Sequence, residues 1–105
     1  MILNNKLIKM LELPKADVKV FNFINDYEPI IPSEDYIPLD ATDIADGLKL
    51  NITTVQRALK RLYDLNMIIR SKQNLGGGGY VFLYYKQAEF IIKKAIKDEF
   101  MRLLA

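Results

Sequence analysis

Between residues 40 and 85 the hydrophobic period of the chain switches from that of helices to that of strands, and this order restricts the fold more than any other feature of the sequence. Ala41 to Leu48 places Ile44, Ala45 and Leu48 at helical spacing. After Lys49 and Leu50, the residues Val55, Leu59 and Leu62 recur at i, i+4 and i+7 within Ile52 to Leu65. Met67 to Lys72 and Tyr80 to Tyr85 then read as two strands, rich in β-branched, aromatic and aliphatic residues, around the flexible segment Gln73 to Gly79. Two helices joined by about four residues must cross steeply, and a hairpin directly after the second gives the order of a winged helix-turn-helix.

Local signals agree with that order. Asp40 is placed to accept a hydrogen bond from the amide of Asp43, and Asn51 is a good N-cap for the helix that follows it. Asn66, which tolerates left-handed backbone angles, stands where that helix should end. Upstream, Leu3, Leu7, Met10 and Leu11 predict a short first helix over residues 2–12, broken by Pro14. Val18, Phe21, Phe23 and Ile24 predict a second over Ala16 to Asn25. Three prolines between Tyr27 and Pro38 predict an acidic loop, with a short edge strand at Ile37 to Leu39. Helical period returns from Gln87 to Leu104. The expected fold class is mainly α with a small β-hairpin, a winged helix-turn-helix flanked by N- and C-terminal dimerisation helices.

A chain of 105 residues, half of them hydrophobic, can bury one core, so a single domain over residues 1–105 is expected. The absence of cysteine and histidine removes disulfides, thiol chemistry, imidazole metal sites and the commonest general base. Lys6 and Lys9 interrupt the N-terminal apolar residues, and no apolar run reaches the roughly 20 residues of a membrane span. These observations predict a cytoplasmic protein without membrane association.

The net charge of +2 conceals a sorting of charge along the chain. Residues 26–50 carry seven acids and one base, whereas residues 51–75 carry five bases and one acid, Asp64. The basic block is the candidate contact surface. With Val55, Leu59 and Leu62 turned to the core, the helix from Ile52 exposes Thr53, Thr54, Gln56, Arg57, Lys60 and Arg61, next to its cap Asn51. Arginine can bind guanine, and glutamine adenine, through two hydrogen bonds, while threonine and lysine suit phosphates or a thymine methyl. Gln56 and Arg57 are the expected base readers. A plainer reading is that Arg57, Lys60 and Arg61 only solvate an exposed helix.

Arg70 and Lys72 alternate with Ile69 and Ser71, so both basic side chains leave one face of the hairpin, where they could meet phosphates. Gln73, Asn74 and the run Gly76 to Gly79 form the wing tip, whose glycines permit close backbone approach to DNA or simply make a floppy turn. The run lacks a Gly-Lys-Ser/Thr ending and leads into a strand, which argues against a phosphate-cradling nucleotide loop. Asp40, Asp43 and Asp46 are spread around their helix, and capping explains the first two better than a metal does. No cofactor and no metal are expected, and no enzyme, because no pairing of nucleophile and base is recognisable.

The last helix carries more apolar residues than one small core is expected to cover. Ile92, Ile96, Phe100 and Leu103, together with Leu3, Leu7 and Leu11, therefore form the expected interface of a homodimer, with packing inside one chain as the alternative.

The segments Asp-Ile-Ala-Asp-Gly-Leu, Leu-Asn-Ile-Thr-Thr-Val-Gln-Arg-Ala-Leu-Lys-Arg-Leu and Leu-Asn-Met-Ile-Ile-Arg lie between residues 43 and 70. They resemble the DNA-binding core of MarR-type and TrmB-type winged-helix transcriptional regulators, many of them archaeal. The resemblance spans roughly Ala16 to Tyr85 and implies dimeric binding of double-stranded DNA. It implies that Thr53, Thr54, Gln56, Arg57 and Arg61 face the major groove and that Arg70 and Lys72 belong to the wing. The acidic loop Tyr27 to Pro38 departs from the family pattern, and the sugar-binding domain of larger TrmB-type proteins has no counterpart, so the resemblance implies no particular small-molecule effector. The competing expectation is a winged helix that docks another protein.

Overall fold

The computed structural model describes residues 11–27 and 39–105. The first predicted helix up to Met10, including Leu3 and Leu7, and nearly all of the acidic loop lie outside the described residues. Those that remain form helix α1 (Lys15–Asp26), α2 (Ala41–Leu48), α3 (Ile52–Asp64), strands β1 (Ile68–Asn74) and β2 (Tyr80–Lys86), and helix α4 (Glu89–Leu104). The architecture is mainly helical with one two-stranded antiparallel hairpin, a winged-helix-like fold.

Helix α1 starts after Pro14, whose carbonyl accepts from the Asp17 and Val18 amides. It turns Val20, Phe21 and Ile24 inward. Helix α2 begins with a reciprocal cap: the Asp43 amide donates to Asp40 Oδ1 at 2.8 Å, and the Asp40 amide donates to Asp43 Oδ2 at 3.4 Å. Two orphan amides are thereby satisfied beside two carboxylates that the positive helix end favours. The helix stops at Lys49, which is left-handed with φ 55°, and the Leu50 amide closes back onto the Ala45 carbonyl at 3.0 Å. Only Lys49, Leu50 and Asn51 separate α2 from α3, one residue fewer than expected.

Asn51 caps α3, its Oδ1 accepting from the Thr53 amide at 2.8 Å. The helix runs about 20 Å at roughly 1.5 Å per residue and buries Val55, Ala58, Leu59 and Leu62 completely. At its end Asn66 adopts the left-handed conformation anticipated for it (φ 62°), and the Met67 amide reaches the Leu62 carbonyl. This tight exit delivers Met67 and Ile68 to the core, so β1 starts directly beneath α3.

In the hairpin, Ile68 stands opposite Lys86, Arg70 opposite Tyr84, Lys72 opposite Phe82 and Asn74 opposite Tyr80. The strands extend to Asn74 and Lys86, past the predicted ends. Gly77 and Gly78, each at φ 100°, make the turn, a conformation that residues with side chains rarely adopt. On its other edge β2 is bridged by Leu39, through Tyr84 N–H to the Leu39 carbonyl at 2.8 Å and Leu39 N–H to the Tyr84 carbonyl at 3.4 Å. Leu39 is thus the described remnant of the predicted edge strand.

One continuous hydrophobic cluster joins α1, α2, α3, the base of the hairpin and α4, the last through Ile92 and Ile96. Gly47 permits the close packing of α1 on α2, because a Cβ there would lie 2.5 Å from Phe23 Cζ. Among the described residues no helix is long and apolar enough to cross a membrane.

Candidate nucleic-acid interface

Thr53, Gln56, Arg57, Lys60, Arg61 and Asp64 form a stripe along one side of α3, since residues three and four apart share a helix face. Thr53, Gln56 and Arg57 are exposed, and no described residue pairs with Arg57. Thr54 is half-buried and Asn51 is occupied by its cap, so neither is as free as the sequence suggested. Lys60 donates to Asp64 Oδ2 at 2.9 Å on the open surface. Such an exposed pair is worth at most about 1 kcal/mol, so a phosphate can displace the aspartate.

Arg61 is different, because a residue of α1 engages its guanidinium. Its Nε donates to Asp17 Oδ2 at 2.7 Å and its Nη2 to Asp17 Oδ1 at 2.6 Å. Asp17 is the one buried charged residue among those described, at 0% exposure. It sits in the first turn of α1 while Arg61 sits in the last turn of α3, so each charge also faces the helix end that favours it. Hydrogen bonding to Asp17 raises the Arg61 pKa above its ordinary value, against the opposing effect of burial. The guanidinium thus ties α1 to α3 while its side chain stays 45% exposed.

The hairpin face that carries Arg70 and Lys72 also carries Ile68 and Tyr84 into the core, so it turns toward α3. The Arg70 guanidinium carbon lies 3.9 Å from the centroid of the Tyr63 ring and 4.1 Å from that of Phe82. Burial pushes the Tyr84 phenol above its ordinary range, and the charge and hydrogen bond of Arg70 offset part of that rise. Further out, the Lys72 ammonium lies 4.1 Å from the Tyr80 ring centroid. Lys72, Gln73 and Asn74 are exposed, as expected for a wing. Between α3 and the hairpin runs a groove of about 510 Å³ whose walls include Gln56 and Lys60 on one side and Arg70 and Tyr80 on the other. The exposed side of α3 and the hairpin therefore adjoin.

The expected dimer residues divide. Leu11, Ile92 and Ile96 are buried in the chain's own core, which corrects their assignment to an interface. Phe100 is half-buried, and Leu103 is exposed together with Phe90, Met101 and Leu104. An i, i+4 count picks out Ile92 and Ile96 but does not say whether their stripe meets its own core or a partner.

The sequence reading missed Asp17, Tyr63 and Phe82. A signal for Asp17 was present: it stands at i of the stripe Val20, Phe21, Ile24, and an acid on an apolar stripe requires a cation. Tyr63 and Phe82 carried no comparable signal, because their contact with Arg70 depends on the tilt of the hairpin.

No family model matches the sequence. A solved structure described as a possible transcriptional regulator from Methanosarcina mazei Go1 superposes with a TM-score of 0.74 at 33% sequence identity, covering 94% of this chain and 78% of that one. This chain belongs to the family of that protein. A protein of the thermoacidophilic archaeon Sulfolobus tokodaii shares the fold, with a TM-score of 0.67 at 21% identity over 95% of this chain and 85% of its own. An uncharacterized protein of Methanocaldococcus jannaschii is 31% identical over 65 residues, which are 58% of this chain. The match spans about half of that relative, 49% of its length.

Proposed function

We propose that this protein is a transcriptional regulator of MarR or TrmB type that binds double-stranded DNA sequence-specifically as a dimer. The observation that carries the reading is the exposed stripe Thr53, Gln56 and Arg57 on α3, beside a hairpin that presents Lys72, Gln73 and Asn74. Helix α3 is narrow enough for the major groove of B-DNA, about 12 Å wide. Gln56 and Arg57 read base edges there, Thr53 and Lys60 bind the backbone, and the wing lies along the phosphates or in the minor groove. Kinship with a possible transcriptional regulator supports this role.

Dimerisation runs through α4, where Phe90 in its first turn, at 74% exposure, and Met101, Leu103 and Leu104 at its C-terminal end are uncovered. The whole chain acts as one DNA-binding domain in the cytoplasm. The test is selection of bound fragments from sheared genomic DNA. Recovery of a recurring, two-fold related motif is expected, whereas recovery of fragments in proportion to input would overturn the reading.

A further inference from the structure

Two basic residues leave the inner face of the hairpin, but they are held in different ways. Lys72 lies over a ring of its own hairpin, Tyr80, and is exposed. Arg70 lies over two rings from different elements, Tyr63 of α3 and Phe82 of β2. A planar guanidinium stacks on aromatic faces in a way that a lysine ammonium does not. Arg70 is also half-buried and opposite Tyr84, which is itself bridged to Leu39.

We propose that Arg70 is a positioning residue that staples the wing to the recognition helix through Tyr63 and Phe82, so that α3 and the hairpin meet DNA as one rigid body. The inference rests on the DNA-binding reading above and assigns Arg70 a task other than phosphate contact. Its leverage follows from the strand. Asn74 lies four residues beyond Arg70, ~13 Å at ~3.3 Å per residue, so a rotation of ~10° at the stack moves the tip by ~2 Å. A displacement of that size breaks a hydrogen bond from Asn74 to a phosphate.

The decisive comparison is Arg70→Lys, which keeps the charge and loses the plane, with Tyr63→Leu, which removes the ring and touches no charge. Affinity for a selected duplex is measured across a salt series by fluorescence anisotropy, with Lys72→Ala as reference. The staple predicts that both variants weaken binding by about 3- to 10-fold and leave the slope of log K against log salt as in the unaltered protein. Lys72→Ala, which removes a phosphate contact from each half of the dimer, reduces the magnitude of that slope by about 1.8. The double variant should be no weaker than the worse single one. Near-normal binding by Arg70→Lys, with Arg70→Ala lowering the slope, would overturn the proposal and make Arg70 a phosphate ligand.

Amide hydrogen exchange of the free protein separates this inference from the reading it rests on. Arg70→Lys should speed exchange across residues 70–74 and 80–84 and leave α3 protected, whether or not any duplex is bound. Unchanged protection of the hairpin overturns the staple; absence of duplex binding by the unaltered protein overturns the regulator.

Discussion

Replacing Arg61 by alanine should destabilise the fold far more than it weakens any contact with DNA. The substitution leaves the Asp17 carboxylate, at 0% exposure, without its partner. Breaking a fully buried pair costs about 3–5 kcal/mol, because the remaining charge stays desolvated. The Arg61 side chain is 45% exposed, so water enters where it stood and recovers part of that loss. The expected cost is therefore about 2–4 kcal/mol, out of the roughly 5–15 kcal/mol that hold a domain together. For a chain of this length that is a fall in Tm of about 10–25 °C. Urea denaturation followed by circular dichroism measures it, together with Asp17→Asn and the double variant Asp17→Asn, Arg61→Ala. The double variant should be more stable than the sum of the single losses implies, with a coupling above about 1 kcal/mol. An Arg61→Ala protein within about 0.5 kcal/mol of the unaltered one, whose DNA binding loses salt dependence, would refute the structural assignment and return Arg61 to the groove.

Arg57→Ala should cost about 1–3 kcal/mol on the selected duplex and much less on random sequence, because a base contact is lost; competition binding with both duplexes checks it. Gly47→Ala should destabilise the fold by about 1 kcal/mol, the clash with the Phe23 ring exceeding the gain in helix propensity. In a Phe23→Leu background the same change should become stabilising, which thermal denaturation reads directly. Asp40→Ala removes the half of the α2 cap in which the Asp40 carboxylate accepts from the Asp43 amide, keeps the Asp40 amide that donates to Asp43, and should cost about 0.5–2 kcal/mol by the same measurement.

The helix-turn-helix order was legible in the sequence because its signals are local. Asp40 and Asn51 mark helix starts, Asn66 marks an end, and the change of period at Met67 separates helix from hairpin. The exposed stripe Thr53, Gln56 and Arg57 followed from the burial of Val55 and Leu59 three to four residues apart. Contacts between distant elements were not legible. Arg61 and Asp17 are 44 positions apart, so periodicity showed an exposed arginine but not the buried aspartate that it pairs with. Arg70 was read as a free cation because alternation fixes the face of a strand but not what that face meets. Ile92 and Ile96 were assigned to a partner for the same reason, since a helical stripe is apolar toward whatever covers it.

Salt dependence of duplex binding by the unaltered protein tests the central claim most directly. With Lys60 and Lys72 neutralising phosphates in each half of a dimer, log K should fall against log salt with a slope of about −4. Binding that is absent at low ionic strength, or that persists with a slope near zero, would contradict a groove-reading α3.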